Sequence, residues 1–152
     1  KINPNDAKRL IRALEIHQQT GSKISEAKKQ PPDWDVRLIG LTRERSELYQ
    51  RINQRVLLMI ESGLVSEVKA LLAAGFTADL KPMQGLGYKQ ICAYLSGDYD
   101  LHTAIELIQK ETRHFAKRQL TWWRRDQRVN WFDLSSVDDS SDILPELITI
   151  CE

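Results

Sequence analysis

Two short apolar runs set the terms on which this chain can fold: Val36–Leu41, VRLIGL, and Val129–Leu134, VNWFDL. Each is mostly apolar rather than alternating, the pattern of strands buried in a parallel sheet with helices on its faces. Between them the apolar residues recur at helical spacing. Two strands make too small a sheet to stand alone, so the pattern predicts partner strands upstream of Lys1. The chain also begins without a methionine, at KINPNDAKRL, and is expected to be a piece of something longer, though processing of the start would give the same beginning. The expected fold is mainly α with a minor β component.

Glycines and prolines punctuate the helical segments. Asn3, Pro4 and Asp6 read as a helix start, with a capping side chain, a proline in the first turn and an acid near the positive helix end; Gly21 reads as its stop. A short helical pattern over Ser25–Lys29 is broken by Pro31-Pro32. Leu48, Ile52, Val56, Met59 and Ile60 mark a helix ending at Gly63, and Leu64–Ala74 a further one closed by Gly75. Residues 76–87, FTADLKPMQGLG, are expected to form a loop. Helices resume at Tyr88–Leu95, stop at Gly97, and return over Leu101–Arg125. Ser135–Asp142 reads as a loop before a last short helix, Ile143–Ile150. Residues 1–152 are thus expected to form one piece: strands at 36–41 and 129–134, a mainly helical 42–128, and an acidic tail at 135–152.

Apolar residues at 41% and charged residues at 28% argue against wholesale disorder. No run of about 18 apolar residues is present, so no membrane span is expected, and the opening residues resemble a helix cap rather than a targeting segment. Cys92 lies in an apolar helical pattern and is expected to be a buried thiol. With Cys151 it forms no ligand-like cluster, so a reduced, cytoplasmic chain is expected. The net charge of +1 conceals an uneven distribution, because residues 1–132 carry +7 and the residues from Asp133 onward hold six acids and no Lys or Arg. A basic body of this kind is compatible with a polyanionic partner.

The basic charge is densest over Lys110–Arg128, KETRHFAKRQLTWWRRDQR, with seven Lys/Arg against two acids. On a helix, Lys110, Arg113, His114, Lys117, Thr121, Arg124, Arg125 and Arg128 share one face, while Ile108, Thr112, Phe115, Ala116, Gln119, Trp122 and Trp123 fall on the other. The first face suits a polyanion; the second is expected to be the mounting, with at least one of the two tryptophans in the core. Lys8, Arg9 and Arg12 cluster on the first helix, where they could equally line a solvated face. The turn Gln84–Lys89 places flexible backbone, a tyrosine and a cation at a helix start, which suits phosphate and base stacking, or an ordinary turn. Arg45, Arg51 and Arg55 form a weaker set after the first strand. No catalytic centre is visible: the seven glycines never give a G-x-x-x-x-G-K-[ST] phosphate loop, G-x-S-x-G and H-E-x-x-H are missing, and the three histidines are scattered.

Five segments in order carry a resemblance: NDAKRLIRALEI at 5–16, LYQRINQRV at 48–56, GLVSEV at 63–68, MQGLGYKQI at 83–91 and ETRHFAKRQLTWWR at 111–124. Together they resemble the C-terminal half of bacterial tRNA dimethylallyltransferases (tRNA isopentenyltransferases). The resemblance implies a helical tRNA-binding part joined to the last two strands of a P-loop kinase-like α/β core. It further implies a parent enzyme that moves a dimethylallyl group from its diphosphate to N6 of the adenosine 3′ of the anticodon, with Mg²⁺ assisting and the base flipped out. The phosphate loop, the general base and the main binding of dimethylallyl diphosphate would lie in the N-terminal half. No catalytic residue and no metal or cofactor ligand is then expected among these 152 residues, and the chain alone is expected to be inactive.

What the resemblance carries onto this chain is contact with the tRNA anticodon stem-loop. The implied residues are Lys8, Arg9, Leu10, Ile11 and Arg12; Gln84, Gly85, Leu86, Gly87, Tyr88 and Lys89; and Lys117, Arg118, Gln119, Leu120, Thr121, Trp122, Trp123 and Arg124. Arg51 or Arg55 is a weaker candidate for the diphosphate. The parent is expected to be monomeric, and the shorter chain, with its sheet edge uncovered, to self-associate. Two rival readings use the same charges: a non-enzymatic helical RNA-binding module, and a helical interaction domain whose cations only solubilise it.

Overall fold

A computed structural model describes residues 2–23, 36–135 and 143–151. The helix expected at Ser25–Lys29, its Pro31-Pro32 break and most of the Ser135–Asp142 loop lie outside the described residues. The chain divides into two units, Lys1–Val36 and Arg37–Glu152.

The first unit contains α1, Ala7–Thr20. Its cap is Asp6 rather than Asn3, with the Asp6 carboxylate accepting the Arg9 N–H at 3.1 Å. Asn3 instead closes the turn before the helix: its side chain accepts the Asn5 N–H and its carbonyl the Asp6 N–H, both at 3.0 Å. The fixed φ of Pro4 suits the second position of such a turn, so the proline precedes the helix instead of lying in its first turn. Gly21 ends α1 in the left-handed conformation, and its N–H returns to the His17 carbonyl at 2.8 Å. No residue of α1 is buried.

In the second unit the order is β1 (Leu38–Thr42), α2 (Arg45–Glu61), α3 (Leu64–Ala73), a 3-10 turn (Lys81–Gln84), α4 (Tyr88–Leu95), α5 (Leu101–Trp123), β2 (Val129–Asp133) and α6 (Leu144–Cys151). The expected helices are present with ends shifted by a residue or two, α2 reaching back to Arg45, and the 76–87 loop contains the 3-10 turn. The core lies among α2, α3, α4 and the first half of α5, where Val56, Val68, Ile91, Ala104 and Ile108 are all but sealed from solvent. Burying each larger aliphatic side chain contributes roughly 1.5–3 kcal/mol. Cys92 is buried in this cluster as expected, and burial pushes its thiol pKa up. The packing places α2 and α4 against α5 and α3 against α4, so the loop between α3 and α4 is held beside α5. Met83 pins that loop to the core.

Strands β1 and β2 pair in parallel, with Leu38 opposite Val129, Gly40 opposite Trp131 and Thr42 opposite Asp133. The first strand starts two residues later and ends one residue later than expected, leaving Val36 exposed ahead of it. Trp131 lies flat over Gly40: a Cβ at that glycine would sit 2.6 Å from the indole. On β1, Ile39 and Leu41 remain exposed. The strand sequence is that of a doubly covered strand, and the two-stranded sheet covers only part of it.

Candidate nucleic-acid interface

Helix α5 changes character along its length. Asp100 caps it, accepting the Thr103 N–H at 2.8 Å, and its first half is fixed by Ala104 and Ile108 in the core. Past Thr112 the less exposed positions are Arg113, Ala116 and Leu120, while Phe115, Gln119, Trp122 and Trp123 are all exposed. The expected mounting face is therefore wrong in its C-terminal half: Trp122 is 70% and Trp123 46% exposed, and neither is in the core. The physical reason is a change of neighbour. The first half of α5 packs on α2 and α4, whereas Ala116, Gln119, Leu120 and Trp123 border a space shared with Leu48 and the sheet residues Leu38, Gly40 and Trp131, at a different angle around the helix axis.

The cationic face is only partly open. The Arg113 guanidinium donates to Asn53 Oδ1 at 2.5 Å and lies 6.0 Å from the Tyr49 ring centre. Arg128 is clamped by two hydrogen bonds to Asp126, at 2.9 and 2.7 Å, and this pairing lowers the Asp126 pKa to about 2. Lys110, Lys117, Arg124 and Arg125 remain exposed, with no ion pair or hydrogen bond from their side chains among the described residues. Arg118 points off the other edge of α5 and lies 5.8 Å from the Phe115 ring centre.

The glycine turn is built to present backbone and one cation. Gly87 is buried with φ +97°, a conformation that a side chain would strain, and its N–H donates to the Gln90 side chain at 2.9 Å. Gln84 is tied back to the Ala78 carbonyl at 2.5 Å. Tyr88 is half-buried and donates its hydroxyl to Glu67, which raises the phenol pKa. Gly85, Leu86 and Lys89 are exposed. Together Gln84, Leu86, Lys89, Gln90, Glu111, Phe115 and Arg118 line a cavity of about 260 Å³, two cations against one carboxylate. Two of the three expected tRNA segments therefore meet in one place. The third, on α1, belongs to the other unit. There Lys8, Arg9, Leu10, Ile11 and Arg12 are exposed, with Arg9 paired to Asp6 at 3.3 Å and Arg12 to Glu15 at 3.0 Å.

The two diphosphate candidates are not equivalent. Arg51 donates to Glu47 at 2.9 Å. Arg55 has no hydrogen bond or ion pair among the described residues and borders a cavity of about 390 Å³ whose walls include Ile52, Met59, Leu86, Ile108 and Phe115. A second space, about 450 Å³, opens between the carboxyl ends of the strands, the start of α2 and the third and fourth quarters of α5. Sequence reasoning passed over Tyr49 there, although its i,i+4 spacing from Arg45 was a visible signal. Among the described residues, no three His, Cys, Asp or Glu side chains cluster closely enough to hold a metal ion. No helix of the described residues is long and apolar enough to cross a membrane.

Comparison with known proteins gives this geometry a family. The IPP transferase family model matches residues 1–126. A tRNA dimethylallyltransferase from Alkaliphilus metalliredigens is 50% identical over 151 residues, covering 97% of this chain and 48% of that protein. One from Thermotoga maritima is 50% identical over 139 residues, covering 91% of this chain and 46% of that protein. The crystal structure of the full-length tRNA isopentenylpyrophosphate transferase from Bacillus halodurans superimposes with a TM-score of 0.74 at 41% identity, over 99% of this chain and 46% of that one. The chain belongs to the IPP transferase family. It spans about half the length of the curated relatives it matches.

Proposed function

We propose that this chain is the tRNA-holding C-terminal part of a tRNA dimethylallyltransferase. The observation that carries the reading is the meeting of Lys89 and Arg118, from separate segments, around one cavity beside an open row of cations on α5. Lys89, Lys117, Arg118 and Arg124 neutralise backbone phosphates, with Lys8, Arg9 and Arg12 as further phosphate contacts on α1. The exposed backbone at Gly85 and Leu86 and the side chains of Gln119 and Thr121 lie nearer the extruded anticodon-loop base. Tyr88, held by Glu67, shapes the turn.

In the whole enzyme the N6 lone pair of adenosine forms the new bond to the allyl carbon, the carbon–oxygen bond to diphosphate breaks, and N6 gives up a proton to a base. That base and the phosphate loop are assigned to the other half. Arg55, without a partner among the described residues and beside an apolar wall, is preferred to Arg51 for the departing diphosphate, because a guanidinium next to an apolar cavity suits a short allylic tail with a charged end. Mg²⁺, when bound in the whole enzyme, supplies charge neutralisation at the diphosphate.

The test is a titration of a fluorescently labelled anticodon stem-loop with this chain at several salt concentrations. Binding that weakens steeply with salt, as expected for three or more phosphate contacts, supports the reading. A flat salt dependence, or no binding, overturns it in favour of a helical interaction domain. Prenylation of the stem-loop by the 152-residue chain alone would overturn the assignment of phosphate loop and base to the other half.

A further inference from the structure

We propose that Arg45, held in place by Tyr49, is a phosphate clamp for the RNA backbone, set in the groove at the carboxyl ends of β1 and β2 and facing Lys117 and Arg124 of α5. The inference rests on the tRNA-holding reading above and adds a contact on α2, outside the three segments that the sequence resemblance marks.

Three observations lead there. Thr42 and Asp133, the last residues of the two parallel strands, both line the groove, and open α/β sheets bind ligands in the crevice beyond their strands' carboxyl ends. The groove is also cationic. Arg43, Arg45, Lys117 and Arg124 border it against the carboxylates of Glu44 and Asp133. Both acids are exposed but already engaged by neighbouring donors: Glu44 accepts the Ser46 and Glu47 N–H groups at 2.6 and 3.2 Å, and Asp133 accepts the Ser135 N–H and hydroxyl at 2.9 and 2.5 Å. Arg43 is spent on Glu47 and on the Leu134 carbonyl, at 2.5 and 2.6 Å. The open cations are therefore Arg45, Lys117 and Arg124.

The third observation is the state of Arg45. Its Nε donates to the Tyr49 hydroxyl at 3.1 Å, and its guanidinium lies 5.1 Å from the centre of the Tyr49 ring. Tyr49 is itself half-buried and flanked by Arg113, which Asn53 fixes. One edge of the Arg45 guanidinium is thus occupied, and the two terminal nitrogens have no partner among the described residues. This leaves a pre-oriented fork, the geometry that grips a phosphate with two parallel hydrogen bonds. The partner is an RNA strand rather than a free diphosphate, because the open cations continue along α5 from Lys110 to Arg124, about 21 Å at the helical rise. That is far longer than any diphosphate.

The experiment uses the same labelled stem-loop and this chain, with circular dichroism confirming that each variant folds. R45A is expected to weaken binding about tenfold, the cost of one charge-assisted hydrogen-bonding partner, and to lower the log–log salt slope by about 0.7–0.9, one phosphate's worth. R45K keeps the charge, so its slope should match the parent chain, but loss of the fork should still weaken binding. Y49F, which keeps the ring and loses the hydroxyl, should do the same more mildly. The inference is overturned if R45A and R45K both bind as the unchanged chain does while K89A and R118A are weakened. Absence of RNA binding by the unchanged chain would instead sink the tRNA-holding reading. Inorganic pyrophosphate at constant ionic strength is expected to leave the complex intact; displacement of RNA from the unchanged chain but not from R45A would reassign the groove to a diphosphate and overturn the RNA assignment.

Discussion

Gly40 shows how a single hydrogen atom can decide the packing of a strand. It stands opposite Trp131 in the parallel register, and an added methyl would lie 2.6 Å from one ring carbon and 2.8 Å from two others. These are atoms of a wide, rigid ring, which cannot give way as the end of a lysine would. G40A is therefore expected to destabilise the chain by about 1–3 kcal/mol, the usual range for overpacking, measured by urea unfolding. Combining G40A with W131L should recover part of that loss, since neighbours sharing one space are not additive. Equal losses from G40A in both backgrounds would show that the contact with Trp131 is not the cause. At the same scale, the residue types legible in the sequence were those with local causes. Gly21 ends its helix because of its own backbone, and Cys92 is buried because its neighbours repeat at helical spacing. The capture of Arg113 by Asn53, which comes from a helix far away in sequence, had no local signature.

At the scale of elements, α4 was legible to the residue, Tyr88–Leu95, because a glycine precedes it and an apolar stripe fills it. The length of α5 was also legible, but not which way its second half faces. A helical wheel assumes one partner surface along the whole helix, and α5 has two: the helical core beside Ala104 and Ile108, and the space under the sheet bordered by Ala116, Gln119, Leu120 and Trp123. The apolar stripe shifts around the axis where the partner changes, which leaves Phe115 and Trp122 outside. The two candidate segments at Gln84–Lys89 and Lys117–Arg124 were legible from charge and turn chemistry; their convergence depends on α4 packing on α5. The exposure of Trp122 has a measurable consequence. W122A is expected to change stability by less than about 0.5 kcal/mol, as surface substitutions do, where a core tryptophan would cost about 3–5 kcal/mol. A loss in the larger range on urea unfolding would return Trp122 to the core.

The whole molecule carries more apolar surface than its own elements cover. On β1, Ile39 is 37% and Leu41 49% exposed, and on α1, Ile11 and Leu14 are 57% and 62% exposed. Among the described residues, the two-stranded sheet also leaves each strand with one unpaired edge, a template for another chain. Contiguous apolar surface and open strand edges are both promoters of association. The 17.6 kDa chain is accordingly expected to self-associate as its concentration rises, with a light-scattering mass that climbs above the monomer. Replacing Leu41 with lysine places a charge on the exposed strand, a device that edge strands use against pairing, and should lower that mass at equal concentration. Leu41 suits the substitution because it is outside the buried core and does not border the cation groove, so RNA binding by the variant should persist while association falls. A constant monomer mass across the concentration range would show that the exposed strand is already compatible with water, and the expectation of self-association would fail with it. A mass that climbs equally in the L41K chain would place the contact elsewhere, with the exposed face of α1 the next to be changed.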